Sequence, residues 1–301
     1  MATTTEDYLN PLPGTAAPTS ATTAPAPPEP PEESPSADGS QRSNVWVVTW
    51  ITLSRLGIAL LLSALTERAA PVGTAGSAVR GPASGFLNWD GAHYLAIAEH
   101  GYRAAFDAPF FPAQPLIAHT LGAALGYPNA DIAVSWIAFA FAVWGIVDLA
   151  SRFTTRRAAI AAALLFAWNP VSIFLVSGYA ESLVIALSVW SLRFCLDRRW
   201  LSAALLAGVA SAVIPQGAVA GVVVVCGIVL AERGVRRVLS AVCYGVIAEA
   251  GLIGYLLYSR AHFGDAFEFE KAASTLWQNH LTYPFHSVFF DVQAMEKYSS
   301  P

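Results

Sequence analysis

The chain has 301 residues, 55% of them hydrophobic and 13% charged, with a mean hydropathy of +0.49, whereas an ordinary soluble domain carries about 25% charged residues. That composition excludes water as the solvent for most of the chain. The net charge of −4 gathers at one end, because residues 1–44 hold six acids against the single base Arg42 and the remainder carries +1, so no basic surface for nucleic acid exists.

The first 44 residues hold nine of the 19 prolines, set among Thr, Ala, Ser and Glu without apolar periodicity. Such a segment cannot bury enough surface to offset its ordering entropy, so a disordered cytoplasmic tail is expected. The first apolar run begins only at Val45 and lacks a short basic leader, so no signal peptide is expected either. Cys195, Cys226 and Cys243 lie far apart inside apolar stretches. They read as packing residues, with no metal or cofactor implied.

Apolar runs follow at 45–65, 130–150, 158–177, 179–197, 200–214, 217–231 and 238–258, most of them near the roughly 20 residues that cross a bilayer. The expected fold is all-α: a polytopic membrane helical bundle over 45–258 with about seven spans. The short runs at 200–214 and 217–231 make one hairpin around the Ile214-Pro215-Gln216-Gly217 break. Phe111 to Gly126, with Pro112 and Pro115, gives about 22 Å of helix and falls short of the hydrocarbon core. Basic clusters at Arg152, Arg156 and Arg157, at Arg193, Arg198 and Arg199, and at Arg233, Arg236 and Arg237 are placed in the cytoplasm by the positive-inside rule. The turns at Gly178 to Glu181 and Ile214 to Gly217, and the segment 259–301, then face the other side. The loop from Thr66 to Asn129 joins them there if Phe111 to Gly126 is re-entrant or interfacial, with the N-terminus cytoplasmic. As a full span, that stretch would send the loop or a basic cluster to the opposite side.

The outer loop carries Asn88-Trp89-Asp90-Gly91-Ala92-His93-Tyr94-Leu95-Ala96-Ile97-Ala98-Glu99-His100-Gly101-Tyr102. This reads as a short amphipathic helix with Asp90 as N-cap, Tyr94, Leu95, Ala98 and Tyr102 on one face, and Gly101 at the end. Such a helix can lie in the interface, anchored by Trp89 and the tyrosines. Its free N-terminal N–H groups suit a phosphate, with Asp90 and His93 alongside. The plainer interpretation makes Trp89 a belt residue, Asp90 a cap and His93 an interfacial polar residue. Arg55 and Glu249 stand near the middles of the first and last runs, where an ionised group costs at least about 2.5 kcal/mol and needs a partner. Either they pair inside the bundle or Arg55 faces a lipid-phosphate groove.

Trp89-Asp90, His93-Tyr94, Ile97-Ala98 and Gly101-Tyr102, then Phe110-Phe111-Pro112 with Pro115-Leu116, then Asn169-Pro170 with Ser172-Ile173-Phe174, then Tyr179 with Glu181-Ser182-Leu183, together resemble the PIG-V family of mannosyltransferases within the GT-C superfamily of polytopic glycosyltransferases. The resemblance covers about residues 86–290, including Phe263-Gly264-Asp265. It implies a glycosyltransferase that moves a sugar, mannose first, from a polyprenyl-phosphate-sugar donor with inversion at the anomeric carbon. The expected acceptor is an extracytoplasmic glycolipid, glycan or protein, in a multi-pass protein surrounded by membrane lipids. It also implies that Asp90 is the general base, taking the proton of the attacking hydroxyl. His93 and the helix N-terminus would steady the departing phosphate, with Arg55 as a third group. Trp89, Tyr94, Tyr179, Glu181, His262 and Asp265 complete the substrate-contact candidates, although Glu181 would serve equally as a helix cap.

Two departures stand against the family pattern. Relatives usually carry an arginine in the turn that here reads Ser211 to Gly217, and the sequence ends at Pro301 where relatives usually continue into further spans. A shortened or truncated member is therefore expected, and a non-catalytic membrane partner is the competing reading. A transporter ranks below both, because the spans offer few ionisable groups and no inverted repeat.

Overall fold

The structure is a computed structural model that describes residues 37–69 and 84–277, with side chains over 44–65 and 85–275. The expectations placed on residues 1–36, 70–83 and 278–301 lie outside the described residues. Within them every regular element is helical, with no strand. Helix α1 (Ala37–Ala69) starts ahead of the boundary expected at residue 44. The segment between the first and second long apolar runs supplies α2 (Asp90–His100) and α3 (Ala113–Leu125). The rest of the bundle is α4 (Tyr127–Ala150), α5 (Arg156–Trp168), α6 (Glu181–Leu196), α7 (Trp200–Ala210), α8 (Ala218–Ala231), α9 (Gly234–Ala248), α10 (Ala250–Phe263) and α11 (Glu268–Trp277).

Each of the seven apolar runs becomes helix, but not seven long helices. By length and composition two of the described helices are long and apolar enough to cross a membrane, α1 over Asn44–Leu65 and α4, and the bent α9–α10 pair would make a third. The run at 158–177 stops at Trp168, because Pro170 cannot continue the ladder and Asn169 instead caps a 3-10 turn through Val171 N (3.0 Å). The run at 238–258 is broken at Glu249, where α9 and α10 meet at 51°. Neither proline nor an adjacent Gly-Ser pair causes that break. The amide of Leu252, one of those left without an in-helix acceptor there, donates to Ser211 Oγ (3.1 Å). Gly251 lets α10 press on α7, since a Cβ there would stand 2.2 Å from the Gly208 carbonyl oxygen.

Two apolar cores run through the bundle. One joins Ile51 of α1 to Phe139, Val143 and Val147 of α4 and Ala163 and Ala167 of α5. The other is rich in alanine, with Ala203, Ala204, Ala207 and Ala210 of α7 against Val224 and Ile228 of α8, and Val184 of α6 beside them. Helix α2 is wedged between the two, sending Leu95 into the first and Tyr94 and Ile97 into the second. One end of the bundle gathers the N-termini of α2, α4 and α6, and the N-terminus of α3 is tied to it by Ala113 N–H donating to Ala212 O (2.9 Å). At the opposite end Arg193 binds Asp148 and Asp197, and Arg152 binds Asp197 (2.8 Å), fastening α4 to α6.

Candidate active site

Asp90 is not a cap. It is the first residue of α2, Trp89 occupies the cap position, and no side-chain capping bond forms. The Asp90 carboxylate is left without a hydrogen bond or ion pair among the described residues. Trp89 reaches its position with φ +52°, a left-handed conformation rare for a bulky residue, and its indole stays exposed. Gly101 ends α2 with φ +73°, as its place in the sequence predicts. Tyr94, Leu95 and Ala98 share the buried face, so Tyr94 is an inward packing group and not an interfacial anchor.

His93, one turn after Asp90, stacks on Phe110 (ring centroids 4.5 Å apart) with Phe106 at its edge. Burial holds the Asp90 carboxyl above the ordinary aspartate range, and the positive charge of His93 pulls the other way. The loop before α2 is clamped to the turn before α6. Gly178 N–H donates to Phe86 O (2.8 Å), and Tyr179 Oη donates to Asn88 O (3.1 Å). This places Glu181, first residue of α6, near Asp90, and the charges of both reach the Tyr179 phenol. Four of the expected site residues, Asp90, His93, Tyr179 and Glu181, therefore meet at one end of the bundle, with Tyr94 beneath them.

The other candidates stand apart. Arg55 is 6% exposed, its Nε donating to Ala167 O (3.1 Å) and Ser172 Oγ (3.2 Å) under the Trp168 ring. It does not pair with Glu249, which lies against Gly221 of α8 with Oε2 buried and unpartnered. About 12 Å of helix separates Arg55 from Ser63, the α1 residue that approaches Gly85. Asp265 is held by Lys271 and by Phe267 N–H (2.8 Å), which keep its carboxyl below the usual range. His262 stacks on Tyr258 (5.1 Å). This corner meets the segment between α2 and α3, where Phe269 packs on Phe111 (5.3 Å).

The sequence reading missed a cluster directly beside the carboxylates. Gln114, Asp131 and Ser135 are all 0% exposed and mutually bonded, and Ser135 Oγ donates to Tyr179 O (3.0 Å). Among the described residues no group of His, Cys, Asp and Glu has metal-binding geometry.

Comparison with known proteins identifies the family. The profile of the mannosyltransferase (PIG-V) family matches residues 45–230, which takes in α1 through α8 and every residue of the Asp90–Glu181 cluster. The chain belongs to that family. GPI alpha-1,6-mannosyltransferase 2 of Mus musculus is 35% identical over 161 residues, 48% of this chain and 32% of that protein. The proteins of the same name from Rattus norvegicus and Homo sapiens are 34% identical over 161 residues and 33% over 155. These alignments cover 48% and 46% of this chain, and 32% and 31% of the relatives. The chain thus spans about a third of the length of the curated relatives it matches. No solved structure matches it.

Proposed function

We propose that this PIG-V family chain transfers mannose from a polyprenyl-phosphate-mannose donor to an extracytoplasmic glycolipid acceptor, with inversion and with Asp90 as general base. The observation that carries this reading is the unpartnered Asp90 carboxylate at the head of α2, raised by burial and facing the Glu181 turn. A base must be within reach of the hydroxyl proton and must not be spent elsewhere. The leaving phosphate departs as a stable anion and needs donors more than an acid. In the first turn of α2 the Gly91 and Ala92 N–H groups already donate to Asn88 O (3.1 Å) and Trp89 O (3.0 Å), so the helix offers its positive dipole end in place of free donors, assisted by His93. Glu181 and Tyr179 are the nearest groups for sugar hydroxyls, and the exposed Trp89 indole suits a sugar face or the interface. Arg55, two turns deeper and bonded to the α5 end, braces the Ala167–Ser172 turn in this reading.

The membrane arrangement belongs to the same proposal. Seven crossings, by α1, α4, α5, α6, α7, α8 and the bent α9–α10 pair, with α3 re-entrant, put the Asp90 end outside and the Arg152–Arg193 end in the cytoplasm, in keeping with the positive-inside rule. The absence of a basic residue between Ser211 and Gly217 favours a second reading, a non-catalytic partner of another membrane enzyme.

Membranes holding the protein, given labelled polyprenyl-phosphate mannose and a glycolipid acceptor, test both. Asp90→Asn should lower turnover by about 10²–10⁴-fold at unchanged protein level. Full activity in that variant removes the base assignment. A wild-type chain that neither binds nor turns over the donor, yet purifies with a second enzyme, gives the partner reading the case.

A further inference from the structure

We propose that Asp131 is a positioning residue that sets the distance between the Asp90 loop and the Glu181 turn. The proposal rests on the reading of Asp90 as base. Asp131 lies one turn into α4, fully buried, with Oδ1 accepting from Gln114 Nε2 (2.9 Å). The same Nε2 reaches Ser135 Oγ (3.2 Å), and Ser135 Oγ donates to Tyr179 O (3.0 Å). Asp131 Oδ2 points at the turn itself. A Cβ at residue 178 would stand 2.5 Å from that oxygen and 2.8 Å from Leu87 Cδ2, so only glycine fits between Asp131 and the loop. On its other side Gly178 donates to Phe86 O (2.8 Å) and Tyr179 to Asn88 O (3.1 Å). A single chain of contacts therefore runs from α3 through α4 and the Gly178-Tyr179 turn to the loop that ends in Asp90.

Two features separate this cluster from ordinary core packing. Asp131 Oδ2 and Gln114 Oε1 are buried without a hydrogen-bond partner, the kind of defect an apolar pair of similar volume would remove. The charge of Asp131 also acts on the Tyr94 phenol, as do the charges of Asp90 and Glu181, so the cluster shares an electrostatic neighbour with both carboxylates. A supporting group that locks two halves of a site acts on the rate through geometry, and a displacement of about 1 Å costs about a hundredfold.

Asp131→Ala should lower kcat by about a hundredfold with the donor KM little changed, while Asp131→Asn, which keeps an acceptor for Gln114, retains most of the rate. Hydrogen exchange reads the same coupling without turnover. Amides of 86–91 and 176–180 should exchange about tenfold faster in Asp131→Ala, with α7 and α8 unchanged. Gly178→Ala presses on the same oxygen from the turn side and should give the same pattern. Unchanged exchange in both segments, acceleration spread evenly into α7 and α8, or faster exchange with wild-type kcat would each overturn the proposal. Should the wild type transfer no sugar at all, the functional reading falls, and exchange in the two segments still decides whether Asp131 holds them.

Discussion

At the scale of single residues, the decisive group is the one that makes no bond. Asp90 opens α2 without capping it, because Trp89 turns into the left-handed region and takes the cap position. Its raised carboxyl has a direct consequence for pH dependence. A general base is active only when unprotonated, so kcat/KM should fall as pH drops through the folded Asp90 value, above the range of an ordinary aspartate. A positive charge at His93 favours the carboxylate, so His93→Ala should carry that acidic limb to still higher pH. A limb that stays put or moves down in the variant would separate His93 from Asp90. The pattern from Trp89 to Tyr102 made Asp90, His93 and Gly101 legible, since helical spacing and a terminal glycine are local properties. Asp131 was not legible. It sits inside an apolar run, and its partners Gln114 and Gly178 become neighbours only after α3 and α6 fold back on α4.

Among the elements, the sequence reading located every apolar run and misjudged how far each helix would run. Pro215 marked its break in the chemistry of proline, whereas the run expected at 158–177 passed over Pro170, ahead of which α5 stops at Trp168. The break at Glu249 has no such signal. The sequence Ile247-Ala248-Glu249-Ala250 reads as continuous helix, and the kink is imposed by packing, with Ser211 taking the amide of Leu252 and Gly251 against Gly208. Gly251→Leu should drive α10 from α7 and destabilise the fold by about 1–3 kcal/mol. A lowered thermal midpoint in detergent is the expected result, and an unchanged midpoint would mean that the two helices do not depend on that approach. Within Phe111 to Gly126 the helix α3 runs from Ala113 to Leu125, and α4 follows directly from Tyr127.

Over the whole molecule, polarity is divided between the two ends of the bundle. Asp90, Asp131 and Glu181 occupy one end, and Arg152, Arg193, Asp148 and Asp197 the other. In a cysteine-free background, Asn88→Cys should react with an impermeant thiol reagent from outside sealed cells, and Arg236→Cys only after the cells are opened. The reverse labelling pattern would invert the proposed topology. The two segments of the candidate site joined by the Tyr179–Asn88 bond lie 91 positions apart along the chain. During synthesis, α4 and α5 must both leave the ribosome before residue 179 exists to close that clasp. The Asp90 segment thus waits for its Tyr179 partner through an entire helical hairpin, and any arrest of translation short of α6 would leave the proposed reaction centre half assembled.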